Sequence, residues 1–151
     1  GHFEGTNRHI DASDVKRVYD LFNGHTFYIQ KTFNESFADT REGEVCTLDT
    51  IRTAINNIIA SNDTIFREIL SNIPEKQKEL LYAIAKDGKA EQITSAEFIK
   101  RHRLTSASSV QSATKKLLEK DIITERNKIY SLNDKLFAMW INKLYGNTTM
   151  L

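Results

Sequence analysis

Six polar residues, Ser108, Ser109, Gln111, Ser112, Lys115 and Lys116, fall on the outward side of a helix predicted from about Ser106 to Lys120. Val110, Ala113, Leu117 and Leu118 take the opposite side at helical spacing, which sets the direction of each polar residue. Small hydroxyls and a glutamine near a helix N-terminus suit a nucleic acid. Backbone N–H groups and the helix dipole attract phosphate there, and a glutamine can bond two edges of an adenine at once. Lys115 and Lys116 extend the same face toward a phosphate backbone. Lys100, Arg101 and Arg103 precede this helix, and Arg126 and Lys128 follow it in a predicted hairpin link from which a minor groove is approachable. About eight such contacts would make binding steeply salt-dependent. The same residues also have a purely structural reading. Ser108 and Gln111 match a capping box, and two lysines near a helix C-terminus complement its dipole. Glu119, Asp121 and Glu125 dilute the positive charge, and no arginine stands on the outward face.

Other chemistry is thinly represented. His25 follows Gly24 in a turn and is the one candidate for contact with a cofactor; its structural alternative is a bond to a carbonyl across that turn. His2, His9, His25 and His102 show no metal-ligand spacing, and Cys46, the only cysteine, cannot complete a zinc site or an internal disulfide. A single thiol suits a reducing compartment. No serine or carboxylate has a histidine partner in register, so no catalytic residue is assigned. Gly88-Lys89 is followed by Ala90 and lacks the upstream glycine of a phosphate-cradling loop.

The elements that would position these residues are mostly helical. Asp11 or Ser13 can cap a first helix with Val15, Val18, Tyr19 and Phe22 on one side, and Gly24 stands where a helix ends. A second helix carries Ile29, Phe33 and Phe37, and residues 38–46 read as a loop. Thr47 caps a third helix with Leu48, Ile51, Ile55, Ile58 and Ile59, and a fourth carries Ile65, Phe66, Ile69, Leu70 and Ile73. No strand pattern appears in this half. Pro74 marks a boundary and opens a helix to about Asp87, closed by Gly88. A short helix (95–102) and the polar-faced helix follow. Two β-like pieces, residues 122–124 and 129–132, are joined by the link 125–128, and a last helix holds Leu136, Phe137, Trp140, Ile141 and Leu144. Three helices followed by a hairpin is the order of a winged helix-turn-helix.

The bulk numbers fit this picture. The chain has 151 residues, 40% hydrophobic and 27% charged, as a folded, water-soluble protein does. No apolar run approaches the roughly 20 residues of a membrane span, and no leader pattern opens the chain, so a cytoplasmic location without membrane contact is expected. The net charge of +1 conceals an asymmetry. Residues 1–73 hold 7 Lys+Arg against 11 Asp+Glu, and residues 74–151 hold 14 against 9, which gives −4 and +5. The basic half is the one to test with nucleic acid.

Several stretches together carry a family resemblance: 80–85 (Leu-Leu-Tyr-Ala-Ile-Ala), 93–95, 106–111 (Ser-Ala-Ser-Ser-Val-Gln) and 117–120. They resemble the C-terminal winged helix of archaeal-type P-loop ATPases, which are related to the AAA+ proteins. Gly24-His25-Thr26-Phe27-Tyr28-Ile29-Gln30 is similar to a turn in the helical lid of that family, and 136–141 is similar to its closing aromatic helix. The resemblance runs from about Asp11 to Tyr145. It implies a C-terminal regulatory fragment, with ATP and Mg²⁺ held only by an N-terminal nucleotide-binding domain of the same polypeptide and no cofactor in this chain. The lid turn departs from the family in lacking the arginine that many AAA+ lids direct at the γ-phosphate, which argues against nucleotide contact there. The expected fold is mainly α. Residues 1–10 form a disordered or cloning-derived start, 11–73 a lid-like helical bundle, and 74–151 a winged helix-turn-helix with a two-stranded β-hairpin wing. The winged helix would bind double-stranded DNA or a protein partner. The rival expectation is a free-standing winged-helix transcription regulator with a helical dimerisation half.

Overall fold

The computed structural model describes residues 8–22 and 26–146. These form two compact units that divide between Asn62 and Asp63. The division falls ahead of Pro74, so the helix expected to close the first unit packs in the second.

In the first unit, β1 (His9–Ile10) pairs in parallel with β2 (Val45–Cys46). Neither strand was expected, and His9–Ile10 corrects the reading of residues 1–10 as wholly without structure. Two-residue strands are too short to show the alternation by which a strand is recognised. Helix α1 (Ala12–Leu21) is capped by Asp11, whose carboxylate accepts from the Ser13 N–H and hydroxyl. Val18 and Phe22 are buried, whereas Val15 and Tyr19 of the same expected stripe are exposed. Helix α2 (Thr26–Asp39) packs on α3 (Leu48–Ser61). Its Phe33 and Phe37 are only half-buried, and the buried line is Thr32, Ser36 and then Thr40. Each of these hydroxyls donates to the carbonyl four residues back, at 2.8, 2.8 and 2.7 Å, so the polar atoms are satisfied inside the helix. Thr47 caps α3, and Ile51, Ile55, Ile58 and Ile59 form its buried side.

The second unit opens with α4 (Asp63–Ser71), whose Phe66 sits in contact with Phe137 and Trp140 of the last helix, α8 (Lys135–Leu144). The Trp140 indole N–H donates to Asp63 at 2.9 Å, and the Arg67 guanidinium lies 5.6 Å from the centre of the Trp140 ring. Helix α5 (Glu75–Asp87) follows Pro74, which occupies the capping position one residue before the helix, not its first residue. Gly88 (φ 75°) ends it as expected, in the left-handed conformation that a glycine adopts without steric cost. Then come β3 (Ala90–Glu91), α6 (Ala96–Arg101), α7 (Ala107–Glu119), β4 (Ile123–Arg126) and β5 (Ile129–Leu132). The sheet order is β3-β5-β4, antiparallel throughout. Strand β3 was missed, and it turns the expected two-stranded ribbon into a three-stranded sheet. Leu81, Ile84, Phe98, Leu117, Leu132 and Leu136 anchor the core under it. Three helices and this sheet make a winged helix flanked by α4 and α8.

The wing turn is tighter than expected. Glu125 and Arg126 belong to β4, and only Asn127 and Lys128 remain in the turn, both at positive φ (52° and 62°). Two left-handed residues between antiparallel strands are the geometry of a type I′ hairpin, whose twist matches that of its strands.

Candidate nucleic-acid interface

Helix α7 is entered through Ser106, whose hydroxyl accepts from the Ser109 N–H at 3.1 Å. The cap is thus Ser106, and Ser108 is not the capping residue that its spacing to Gln111 predicts. The Ser108 hydroxyl lies 3.2 Å from that of Ser106 at the helix start. Val110, Ala113, Thr114 and Leu117 are buried, and the Thr114 hydroxyl donates to the Val110 carbonyl at 2.7 Å. This leaves Ser108, Gln111, Ser112, Lys115 and Lys116 exposed on one side, with Ser109 half-buried at its edge. No large apolar side chain stands among them. Lys116 lies 3.6 Å from Glu119 in an exposed i,i+3 pair, which holds it only loosely. Lys120 donates to Gln77 at 2.8 Å.

The basic residues ahead of α7 behave differently from one another. Arg101 forks onto Asp87, with 2.8 and 3.3 Å bonds from its two terminal nitrogens, and its guanidinium lies 5.6 Å from the centre of the Phe98 ring. It fastens α6 to the end of α5 and so leaves the set of ready phosphate contacts. The His102 side chain is buried beside it, its ring 4.5 Å from that of Phe98 and its Nε2 3.1 Å from the Asp87 carboxylate but making no hydrogen bond. Arg103 (φ 55°) is exposed in the turn before α7, and Lys100 is exposed on α6.

Between α7 and the wing sheet lies an open groove of about 720 Å³. Gln111, Thr114, Lys115 and Leu118 form its helix wall. Glu125, Asn127, Lys128, Ile129 and Tyr130 form its hairpin wall, and residues 91–94 close one side. The structure therefore brings Gln111, Lys115 and Lys128 to one cleft and leaves Arg126 exposed at the end of β4. Burial, then the charge of Glu125, pushes the Tyr130 phenol up, so it is a protonated hydrogen-bond donor at neutral pH. Glu91, Gln92 and Thr94 were not singled out by sequence, because their placement depends on the unrecognised β3; Tyr130 falls in the expected strand 129–132, where sequence gives it no role.

His25 lies outside the described residues. Burial also pushes the Cys46 thiol up, the reverse of what a nucleophile needs. Among the described residues no group of three His, Cys, Asp or Glu side chains could hold a metal ion, and no helix is long and apolar enough to cross a membrane.

Comparison with known families returns one finding: a family model described as a probable winged helix domain matches residues 64–143. Comparison with curated proteins and with solved structures returns no match. The matched span opens inside α4 and closes inside α8, so both flanking helices belong to the family's unit. A match over more than half of the chain, on a unit with the helix order and sheet just described, makes this chain a member of the probable winged helix domain family.

Proposed function

We propose that the second unit docks duplex DNA through the outward side of α7 and the wing, and that it does so as a regulatory part of a P-loop ATPase. The observation that carries the DNA reading is the make-up of the α7 face: exposed hydroxyls, an amide and two lysines, with Leu118 half-buried at its groove edge, beside a wing bearing Arg126 and Lys128. Donors of this kind bond phosphate oxygens and base edges, whereas a protein-docking face of equal size is richer in aromatic and aliphatic anchors. The ATPase context rests on the family resemblance of residues 11–145. In it a nucleotide-binding domain of the same polypeptide holds ATP and Mg²⁺, the first unit packs beside that domain as a lid, and the winged helix biases turnover from the cytoplasm. In this reading the catalytic groups belong to that nucleotide-binding domain. Its described residues do not fit ATP or Mg²⁺, having neither a glycine-rich cradle nor a metal-holding cluster, so no step of hydrolysis runs through them.

The test is fluorescence anisotropy with a labelled duplex across a salt series. Contacts from Lys115, Lys116, Arg126 and Lys128 give a slope of log K against log salt of about −3.6, or roughly a 150-fold loss between about 50 and 200 mM salt. Lys115→Glu with Lys116→Glu should at least halve that slope while leaving helicity intact. Unchanged affinity in the double variant removes the groove-docking reading. Glu91 and Glu125 beside Lys115 and Lys128 favour a second reading, a protein partner of mixed charge in the α7–wing groove. Absence of salt-dependent duplex binding would turn the assignment to that partner.

A further inference from the structure

The wing sheet carries a second polar feature that the DNA-docking reading does not use. Asn142 Nδ2 donates to the Ala85 carbonyl at 2.9 Å, and the rings of Tyr82 and Tyr145 lie 4.7 Å apart, so α8 runs antiparallel to α5. This pairing carries the first turn of α8 past the end of α5, where Gly88 turns the chain into Lys89. Lys135, the first residue of α8, thereby comes to lie near Lys89. The register that pairs Ala90 with Tyr130 brings Lys89 level with Ser131, whose hydroxyl is 3.4 Å from that of Thr124 on the neighbouring strand. Ile123 and Leu132, the adjacent cross-strand pair, are buried, so Thr124 and Ser131 turn to the other side of the sheet.

We propose that Lys89 and Lys135, with the hydroxyls of Thr124 and Ser131, form a phosphate-binding site on the outer side of the wing sheet. Three costs converge there. Lys135 is half-buried, yet neither its ammonium nor that of Lys89 has a hydrogen bond or ion pair among the described residues. Burial first, and the like charge of Lys89 second, push the Lys135 ammonium down from its ordinary value. A lysine in the first turn of a helix also opposes the helix dipole. The neighbouring Asp134 accepts from the Leu136 and Phe137 N–H groups on one carboxylate oxygen at 2.9 and 3.2 Å, capping α8, and makes no ion pair with Lys135. An anion with several acceptor oxygens removes the first two costs together, and two ammonium and two hydroxyl donors suit a phosphate better than a carboxylate. The phosphate comes either from the backbone of a duplex held on α7, an arm that rests on the proposed DNA reading, or from a free phosphate or nucleotide, an arm that does not.

The experiment titrates the ¹⁵N-labelled chain with sodium pyrophosphate, and separately with a duplex, at constant ionic strength. Saturable shifts are expected at the amides of Lys89, Thr124, Ser131 and Lys135, and Lys89→Gln or Lys135→Met should each weaken pyrophosphate binding about tenfold. Lys89 is exposed, so its variant keeps the test valid even where Lys135→Met fails to fold. Saturation by pyrophosphate alone supports the free-phosphate source. Shifts of the same amides by the duplex, with the salt slope reduced by about 0.9 in Lys89→Gln, support the backbone source. Pyrophosphate saturation in an unsubstituted chain that binds no duplex keeps this site and removes the DNA-docking reading. Linear, unsaturable shifts with both probes, or saturation unaffected by both lysine variants, would overturn the site.

Discussion

Truncating Phe66 to alanine is the sharpest test of where the winged-helix unit begins. Phe66 is 3% exposed, its ring 5.1 Å from that of Phe137 and 5.7 Å from that of Trp140. Removing a buried phenylalanine side chain costs about 3–5 kcal/mol, from lost burial and from the cavity that remains. A domain spanning residues 63–146 has a total stability of about 4–13 kcal/mol, so the variant sits near the edge of folding. Each kcal/mol moves the melting midpoint by about 4–8 °C in a domain of this size, which predicts a drop of at least about 12 °C. The assay is equilibrium urea unfolding followed by the emission of Trp140, the only tryptophan and therefore a reporter on this unit alone. A chain that starts at Pro74 should lose at least as much stability, and one that starts at Asp63 should keep a single cooperative transition. A loss below about 1 kcal/mol in Phe66→Ala would refute the assignment of α4 to the winged-helix core.

Three further outcomes are expected. Lys128→Gly should leave the unit as stable or raise its stability by about 1 kcal/mol, since glycine adopts the left-handed turn position without strain, while lowering the salt slope of duplex binding by about 0.9; urea midpoints and anisotropy read the two effects separately. The hydrogen bond from Arg67 first, and that from Trp140 second, hold the Asp63 carboxyl below its ordinary range, so its contribution to folding is present above about pH 4 and is lost as pH falls through the folded-state value; Asp63→Asn should abolish the acid-side change in Trp140 emission. In the Lys89→Gln variant, which silences the outer-wing site, millimolar ATP should not raise the melting temperature, because a ligand that binds the folded state must stabilise it and the sequence has no glycine-rich phosphate cradle; a clear upward shift in differential scanning fluorimetry would contradict this.

The legible parts of the fold are those whose physics is local. Val110, Ala113 and Leu117 recur at the spacing of one helical face, so the side that α7 buries, and with it the exposure of Gln111, Lys115 and Lys116, followed directly. The hairpin was visible because Ile123 and the run 129–132 are strand formers on either side of a polar link. What failed to show depends on partners distant in the chain. Ala90–Glu91 becomes a strand only because β5 offers it an edge, and two residues carry no period of their own. The buried line Thr32, Ser36 and Thr40 defeats a reading in which hydroxyls point outward, since the i−4 carbonyls satisfy them and leave small side chains for packing in the core. The same ambiguity displaced the domain boundary: Ile65, Phe66, Ile69 and Ile73 announce an amphipathic helix equally well whichever unit receives it, and Phe66 on Trp140 decides.

The backbone adds an independent argument about where the working surface lies. Five non-glycine residues among those described adopt positive φ: Gln92, Arg103, Asp121, Asn127 and Lys128. Such a conformation costs a side chain roughly 1 kcal/mol or more, and glycine would remove the strain at each. All five belong to the winged helix, and three of them, Gln92, Asn127 and Lys128, line the α7–wing groove. A type I′ turn favours Asn at its first central position and Gly at its second, so Asn127 follows the turn chemistry and Lys128 departs from it. A long cation at the strained position, facing the same cleft as Lys115 and Gln111, has no hydrogen bond or ion pair among the described residues to offset that strain. The turn requires the conformation but not a lysine in it, and a cation kept there, facing the cleft of Lys115 and Gln111, accords with the proposed docking of the α7–wing side on a phosphate-bearing partner.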